Sequence, residues 1–280
     1  MLQLLNRLVR TARNGTIRSS ILDEYVKASP SEQFELDLFR GEWSSALPAP
    51  YSLLEAGAIP LFQDDRLAWA IDELGGVAGD KCLELGPLEG GHSYMLEQAG
   101  AGEVLAVEAN QRAFLKCLVV KNLLGLKTRF LLGDFVSFLE SDTNRYDLVI
   151  ASGVLYHMRE PARVLGLIAD RTDRIYLWTH YFDEQIIGGQ NPLASRFCRA
   201  ETLVDRGKKY TVHKQTYDSA GLANRAFCGG GTRTTNWMTR ESILRCLGEL
   251  GFHTVRINFD QKDHNNGPCF AVLALREKPV

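Results

Sequence analysis

From Lys81 onward, short apolar runs alternate with stretches of helical spacing, and this rhythm constrains the fold more than any other feature. The apolar runs are KCLELG, EVLAVE, TRFLLGD, YDLVIASG and DRIYLWTH. Between them lie GHSYMLEQAG, QRAFLKCLVVKNLLG, FVSFLES and PARVLGLIADR. The runs are apolar throughout rather than every second residue, as strands covered on both faces must be. Five such strands linked through helices by short connections predict an open, doubly wound α/β sheet. Near the end, HTVRINFD and CFAVLAL are separated only by the turn HNNGP. Two strands joined without a helix pair antiparallel. The expected sheet has seven strands, mostly parallel, with the last one antiparallel. Val255, Ile257 and Phe259 are expected to alternate along the sixth.

Four segments follow. Residues 1–60 lack a strand pattern and read as an N-terminal helical extension with a proline-containing connector, SSALPAPYS. Residues 61–181 are the core, entered by a helix in DDRLAWAIDELGG that Asp64 or Asp65 can cap and Gly75–Gly76 can end. Residues 182–238 are polar, glycine-rich and poorly periodic, an insertion without an evident framework, of a length that is usually functional or a subdomain, and it is expected to shape the acceptor pocket as a substrate lid. Residues 239–280 complete the core, with Thr239 capping a helix whose face carries Ile243, Leu247 and Leu250.

Charge and cysteine usage narrow the function classes. A net charge of -2 supplies no global attraction to nucleic acid or anionic membrane. The six cysteines form no CxxC pair, which indicates a reducing, cytoplasmic compartment and no zinc site. No apolar run reaches the roughly 18 residues of a transmembrane span. The N-terminal MLQLLNRLVRTARNG is amphipathic and basic, and reads as a helix docked on its own protein, with attachment to a membrane surface as the alternative.

The stretch LELGPLEGGHSYML has the outline of a nucleotide-binding turn. A dinucleotide turn wants G-x-G-x-x-G, its second glycine letting the backbone approach a pyrophosphate. With Gly86 first, that second position is Leu88, and Glu84 and Glu89 flank the loop with negative charge. No Lys-Ser/Thr follows the glycines, so a Walker loop fails too. A ligand with cationic groups and no phosphate fits better, as S-adenosylmethionine does with its sulfonium and ammonium. Glu108 ends the second strand about 22 residues past Gly86, where an acid meets a ribose diol. That diol is common to NAD and S-adenosylmethionine, so Glu108 does not separate them. Asp134 follows the third strand beside Phe135, placed to accept from an adenine amino group or simply to cap a helix.

ELGPLEGG, AVEAN, GDF and ASGVLYH together resemble the successive motifs of class I S-adenosylmethionine-dependent methyltransferases, with their Rossmann-like sheet. The resemblance covers roughly residues 65–181 and 239–276. It implies that Glu84, Gly86, Leu88 and Gly90 line the methionine part of the cofactor. It implies that Glu108 takes the ribose, with Ala109 and Asn110 near the adenine, and that Gly133, Asp134 and Phe135 flank the adenine. Ser152 and Gly153 would pass beneath the sulfonium. Leu88 departs from the pattern, since many members have glycine there. SGVLYHMREP is also similar to the tRNA wobble-uridine carboxymethyltransferases, whose cofactor is carboxylated. Those enzymes carry a basic tryptophan-containing segment before the first strand, and residues 40–80 hold no counterpart. The ordinary methyl donor is therefore expected.

For chemistry, His157 in LYHM and His180 in WTHYFD follow the fourth and fifth strands, and either is a candidate general base. Tyr181 and Asp183 are read as part of a polar cluster with His180, and His264 lies in a turn at the same rim. His92 reads as structural or part of the cofactor's surroundings. Arg196, Arg199, Arg206, Lys208, Lys209, His213 and Lys214 make the insertion locally basic, which suits either a solvated surface or an anionic acceptor. Trp237 and Tyr217 are candidates to stack on a ring. The expected function is methyl transfer to a small-molecule acceptor. The alternatives are a tRNA-modifying enzyme, a nicotinamide-dependent oxidoreductase and a non-catalytic cofactor-binding relative.

Overall fold

The computed structural model describes residues 25–188, 191–217 and 231–276. The basic amphipathic stretch within residues 1–15, and Cys228, lie outside them. The described strands are β1 (Lys81–Leu85), β2 (Glu103–Glu108), β3 (Arg129–Leu132), β4 (Leu148–Ser152), β5 (Arg174–His180), β6 (Phe197–Asp205), β7 (Lys208–Thr216), β8 (Thr234–Met238), β9 (Thr254–Gln261) and β10 (Cys269–Leu275). The described α-helices are α1 (Glu32–Asp37), α2 (Asp65–Glu73), α3 (Gly91–Gln98), α4 (Gln111–Leu124), α5 (Phe135–Ser141), α6 (Pro161–Ala169), α7 (Glu184–Ile187) and α8 (Arg240–Glu249). None of them is long and apolar enough to cross a membrane.

Seven strands form the main sheet in the order β3-β2-β1-β4-β5-β10-β9. β1 to β5 run parallel, and β10 is antiparallel to both β5 and β9. The last strand thus slots between β5 and the edge strand β9, as the short turn before it requires. The strand order reverses between β1 and β4, which opens a crevice at their carboxyl ends. Both faces are covered. Leu85, Val107, Val149, Leu177 and Val272 pack toward α6 and α8 on one side. Cys82, Val104, Ile150, Tyr176 and Ala271 pack toward Leu67, Ala70 and Leu96 on the other. This two-sided burial is why the strand runs carry no polar alternation.

The helices begin where short polar side chains occupy the cap. Asp64, Asn110, Asp134, Asp183 and Thr239 each accept from a backbone N–H two or three residues on. A cap of this kind contributes about 1 kcal/mol. The alternation expected in β9 holds only in part. Ile257 is exposed, and Phe259 sits at φ 50 where the register against β10 shifts. The bulge turns Phe259 toward Trp69, ring centroids 6.4 Å apart.

Two segments differ from expectation. The N-terminal extension is mostly irregular over residues 25–60, with one α-helix of 6 residues. The insertion, read as lacking a framework, contains a three-stranded antiparallel sheet in the order β6-β7-β8. Its hairpin turns at Arg206 and Gly207, both with positive φ, the two-residue turn that matches strand twist. Tyr210 and Val212 of β7 join the main core, so the small sheet is fastened to the large one.

The irregular N-terminal segment is held by a buried charge pair. Glu89, in the loop after β1, accepts from Ser44 N at 3.0 Å and Ser45 N at 2.8 Å. Lys116 of α4 donates to the same carboxylate at 2.9 Å and also to the Glu42 carbonyl. Both side chains are buried. Removing one partner strands the other charge out of water, at a cost of about 3–5 kcal/mol. Glu89→Gln and Lys116→Met should each lower unfolding stability by that order. The double variant should lose less than the sum, read from urea transitions.

Candidate active site

The carboxyl ends of the central strands open into a cavity of about 1900 Å³. A pocket for one small ligand is roughly 300–1,000 Å³, so two can fit here side by side. Glu84, Gly86, Leu88, Glu108, Ala109 and Asn110 line one part of it. Asp134, Phe135, Ser152, Gly153, His157 and His180 also line it. Two expected residues do not. Gly90 caps α3 from behind, at φ 81, where a Cβ would press on the Phe130 ring. Gly133 bonds its N–H to the Glu108 carbonyl and is not part of the wall.

The glycine turn is pinned by acids. Gly86 has φ 67, and a Cβ there would lie 2.7 Å from a Val154 methyl carbon, so glycine is required on both counts. Leu88 takes the left-handed conformation at φ 56 in spite of its side chain. That costs about 1–2 kcal/mol. Its N–H donates to Glu108 Oε2 at 3.2 Å, which helps hold it. The departure from glycine therefore leaves the turn in the backbone region that glycine favours. Glu108 also accepts from Asn110 N at 2.8 Å. Asp134 spends its carboxylate on α5, accepting from Val136 N and Ser137 Oγ.

The loop is less negative than its sequence. Glu89 is answered by Lys116, which leaves Glu84 and Glu108 as the buried acids of the strand ends. Among the described residues neither has a lysine or arginine partner. Glu84 accepts from Ser93 Oγ at 2.5 Å and lies 3.7 Å from His92 Nδ1. Burial raises the pKa of both carboxyls, only partly offset by hydrogen bonds and, for Glu84, by His92. Two desolvated acids without a fixed cation suit a ligand that brings positive charge. A polar chain continues from this point. His92 Nε2 is 2.9 Å from Asp64, Asp64 takes a two-pronged bond from Arg66, and the Arg66 guanidinium lies 4.4 Å over the Trp178 ring.

Beyond Gly153 the wall becomes aromatic. Tyr156, Trp178, His180 and Trp237 surround one chamber. His180 and Trp237 stack with centroids 5.2 Å apart and planes at 12°. Tyr156 meets His180 edge-on at 4.8 Å. His180 Nδ1 lies 2.8 Å from the Gly267 carbonyl, which can only accept, so this nitrogen carries the proton. In the neutral ring Nε2 then keeps a lone pair, with no hydrogen-bond partner among the described residues. Burial pushes the His180 pKa down to about 4, against the bond to Gly267 and with help from His264. The indole N–H of Trp237 is likewise buried without a partner among the described residues.

The other histidines are differently engaged. His157 Nδ1 is 2.5 Å from the Tyr217 hydroxyl, and burial, aided by His180, lowers its pKa to about 3. His264 lines the cavity and accepts from Asn266 N at 3.1 Å through Nδ1. His180, His264 and Cys269 have ligand atoms within 4.8 Å of one another. The bond to His264 Nδ1 and a Cys269 thiol pushed up to about 11 by burial make that trio a poor metal site. The polar cluster expected around His180 does not form. Tyr181 points into the core and bonds Asp260, and Asp183 caps α7. The expectations also passed over Arg66, Tyr156 and Trp178. The only available signals were an arginine just inside a helix start and aromatic residues next to LYH and WTH.

No protein-family model and no curated protein matches the sequence. Solved structures do match its shape. The N-terminal domain of EvdMO1, crystallised in the presence of SAH and D-fucose, superposes with a TM-score of 0.65 at 23% identity, over 88% of this chain and 95% of that one. Magnesium protoporphyrin IX methyltransferase from Synechocystis PCC 6803, with bound SAM, gives 0.51 at 17% identity, over 90% and 100%. The 1,6-didemethyltoxoflavin-N1-methyltransferase of Burkholderia thailandensis gives 0.50 at 16%, over 78% and 79%. This is a class I methyltransferase fold. Glu84 and Glu108 stand at the ends of its first two strands, on the rim that lines the cavity.

Their raised pKa gives a sign to pH dependence. Acidification protonates such carboxyls before an ordinary one near about 4.3, and a cationic ligand then loses its partners. Affinity for S-adenosylmethionine should therefore begin to fall on acidification at a higher pH than ordinary carboxylates would allow. Glu84→Gln should weaken binding and flatten that slope, measured by calorimetry.

Proposed function

We propose that the protein transfers a methyl group from S-adenosylmethionine to a hydroxyl of a small molecule. The observation that carries this reading is a single cavity that joins two buried acids to an aromatic chamber holding a neutral histidine with a lone pair on Nε2. The bound cofactor supplies a methyl group made electrophilic by positive sulfur. Glu84 and Glu108 offer the cationic cofactor their charge, the Gly86 turn lets its backbone come close, and Gly153 opens the way to the chamber.

Within the chamber His180 has a lone pair to receive a proton, and a hydroxyl is a group that can donate one there. His180 Nε2 takes the hydroxyl proton as the oxygen forms its bond to carbon. Positioning does the larger share, by holding oxygen and carbon near about 3 Å. His157 is assigned to orienting Tyr217 rather than to proton transfer, because its Nδ1 is already engaged.

The aromatic walls of the chamber favour a small-molecule acceptor. The EvdMO1 domain was crystallised with D-fucose, and the toxoflavin enzyme with 1,6-didemethyltoxoflavin. A ring of that size suits the walls of Tyr156, Trp178 and Trp237. The insertion, residues 182–238, supplies Tyr217 and Trp237 and is assigned as the acceptor-side wall. Cys82, Cys117, Cys198, Cys246 and Cys269 are free thiols, which suits a reducing cytoplasm.

Calorimetry with S-adenosylhomocysteine and with NADH tests the reading. The first should bind and the second should not; the reverse result gives the site to a nicotinamide cofactor. His180→Ala should cut turnover by about 10²–10⁴-fold and leave S-adenosylhomocysteine affinity within about twofold. Because the His180 pKa is lowered, its contribution to turnover should persist as the pH falls and fade only near about 4.

A further inference from the structure

Five arginines line the cavity, and they are not equivalent. Arg66 is paired with Asp64, Arg112 with Glu42, and Arg163 with both Glu140 and Glu160. Arg159 and Arg196 also line it, and among the described residues neither has an ion-pair or hydrogen-bond partner for its side chain. Both are exposed, so they stand at the mouth rather than in the chamber.

Their backbones are held within the fold. Asn236 of β8 bonds the carbonyls of Met158 and Arg159, at 2.9 and 2.6 Å. Arg196 closes a short 3-10 turn, and the next residue, Phe197, packs edge-on against Phe182 and Trp237. One arginine thus comes from the loop after β4 and the other from the insertion. They border the same feature: Arg159 follows His157, whose ring is bonded to Tyr217, and the Arg196 charge acts on the Tyr217 hydroxyl. Gln215 and Thr232 add polar groups to the same cavity. The nearest acid in sequence, Glu160, is engaged by Arg163.

Two guanidinium groups without a partner among the described residues, beside an aromatic chamber, describe a ligand with two ends. Arginine presents a planar fork that fits the oxygens of a phosphate or carboxylate. A cavity with low-dielectric walls concentrates the field of such charges on what enters. We infer that the acceptor carries an oxyanion, a phosphate or a carboxylate, which Arg159 and Arg196 hold at the mouth while its hydroxyl-bearing ring lies against Trp178 and Trp237. This rests on the methyltransferase reading, since it divides the cavity between cofactor and acceptor. The two arginines set which acceptors are chosen and do not take part in the transfer.

The test uses the full chain saturated with S-adenosylhomocysteine, at constant ionic strength in chloride. Inorganic phosphate and acetate are titrated separately, followed by calorimetry and by the thermal midpoint. At least one should bind saturably where chloride does not, and the tighter of the two names the group. The double variant Arg159→Ala/Arg196→Ala should weaken that binding at least tenfold, with S-adenosylhomocysteine affinity within twofold of the parent protein. If neither anion binds beyond chloride, or the double variant binds as before, the inference falls and the methyltransferase reading stands. If S-adenosylhomocysteine itself fails to bind, both fall together.

Discussion

Carboxylates on two sides of one loop hold the site in place. Glu108, from the end of β2, fixes the Leu88 N–H, and Glu89, inside the loop, is clasped by Lys116 and by the amides of Ser44 and Ser45. The strained turn at Leu88 persists because these partners over-determine it. Its other neighbours take their places from it. Gly86 abuts Val154, which leads into the segment carrying Tyr156 and His157, and α3 starts at once with His92 and Ser93 beside Glu84.

The acceptor side is built differently. Its walls come from four parts of the chain: the loop after β4, the end of β5, the insertion, and the turn before β10. What unites them is ring packing around His180, which touches Tyr156, Trp178, Trp237 and His264. The Gly267 carbonyl then selects the tautomer. A backbone acceptor does this without adding a charge, so the buried ring stays neutral and its other nitrogen keeps its lone pair.

The strands and helix starts were legible in the sequence because each depends on neighbours close in the chain. Continuous apolar runs mean burial on both faces, and Asp64 or Thr239 caps a helix through atoms two or three residues away. The strand directions of the main sheet followed from connection lengths. The reading of His180, Tyr181 and Asp183 as one cluster failed because successive side chains on extended backbone point to opposite sides. His180 faces the cavity, and Tyr181 reaches Asp260 through the core. The small sheet was missed because β6 is mostly exposed and so lacks a buried run to announce it.

By itself, then, the chain determined a seven-stranded doubly wound sheet and the three acids at its strand ends, since periodicity and spacing are local quantities. It did not determine what those acids do. Tertiary structure gave Asp134 to a helix cap and left Glu84 and Glu108 buried beside the cavity. It also answered Glu89 with a lysine 27 residues away. Tertiary structure alone placed Trp237 against His180 and left Arg159 and Arg196 without side-chain partners among the described residues. Charge and proton affinity depend on what lies within a few ångströms in space, and that distance is not written in the order of residues along the chain.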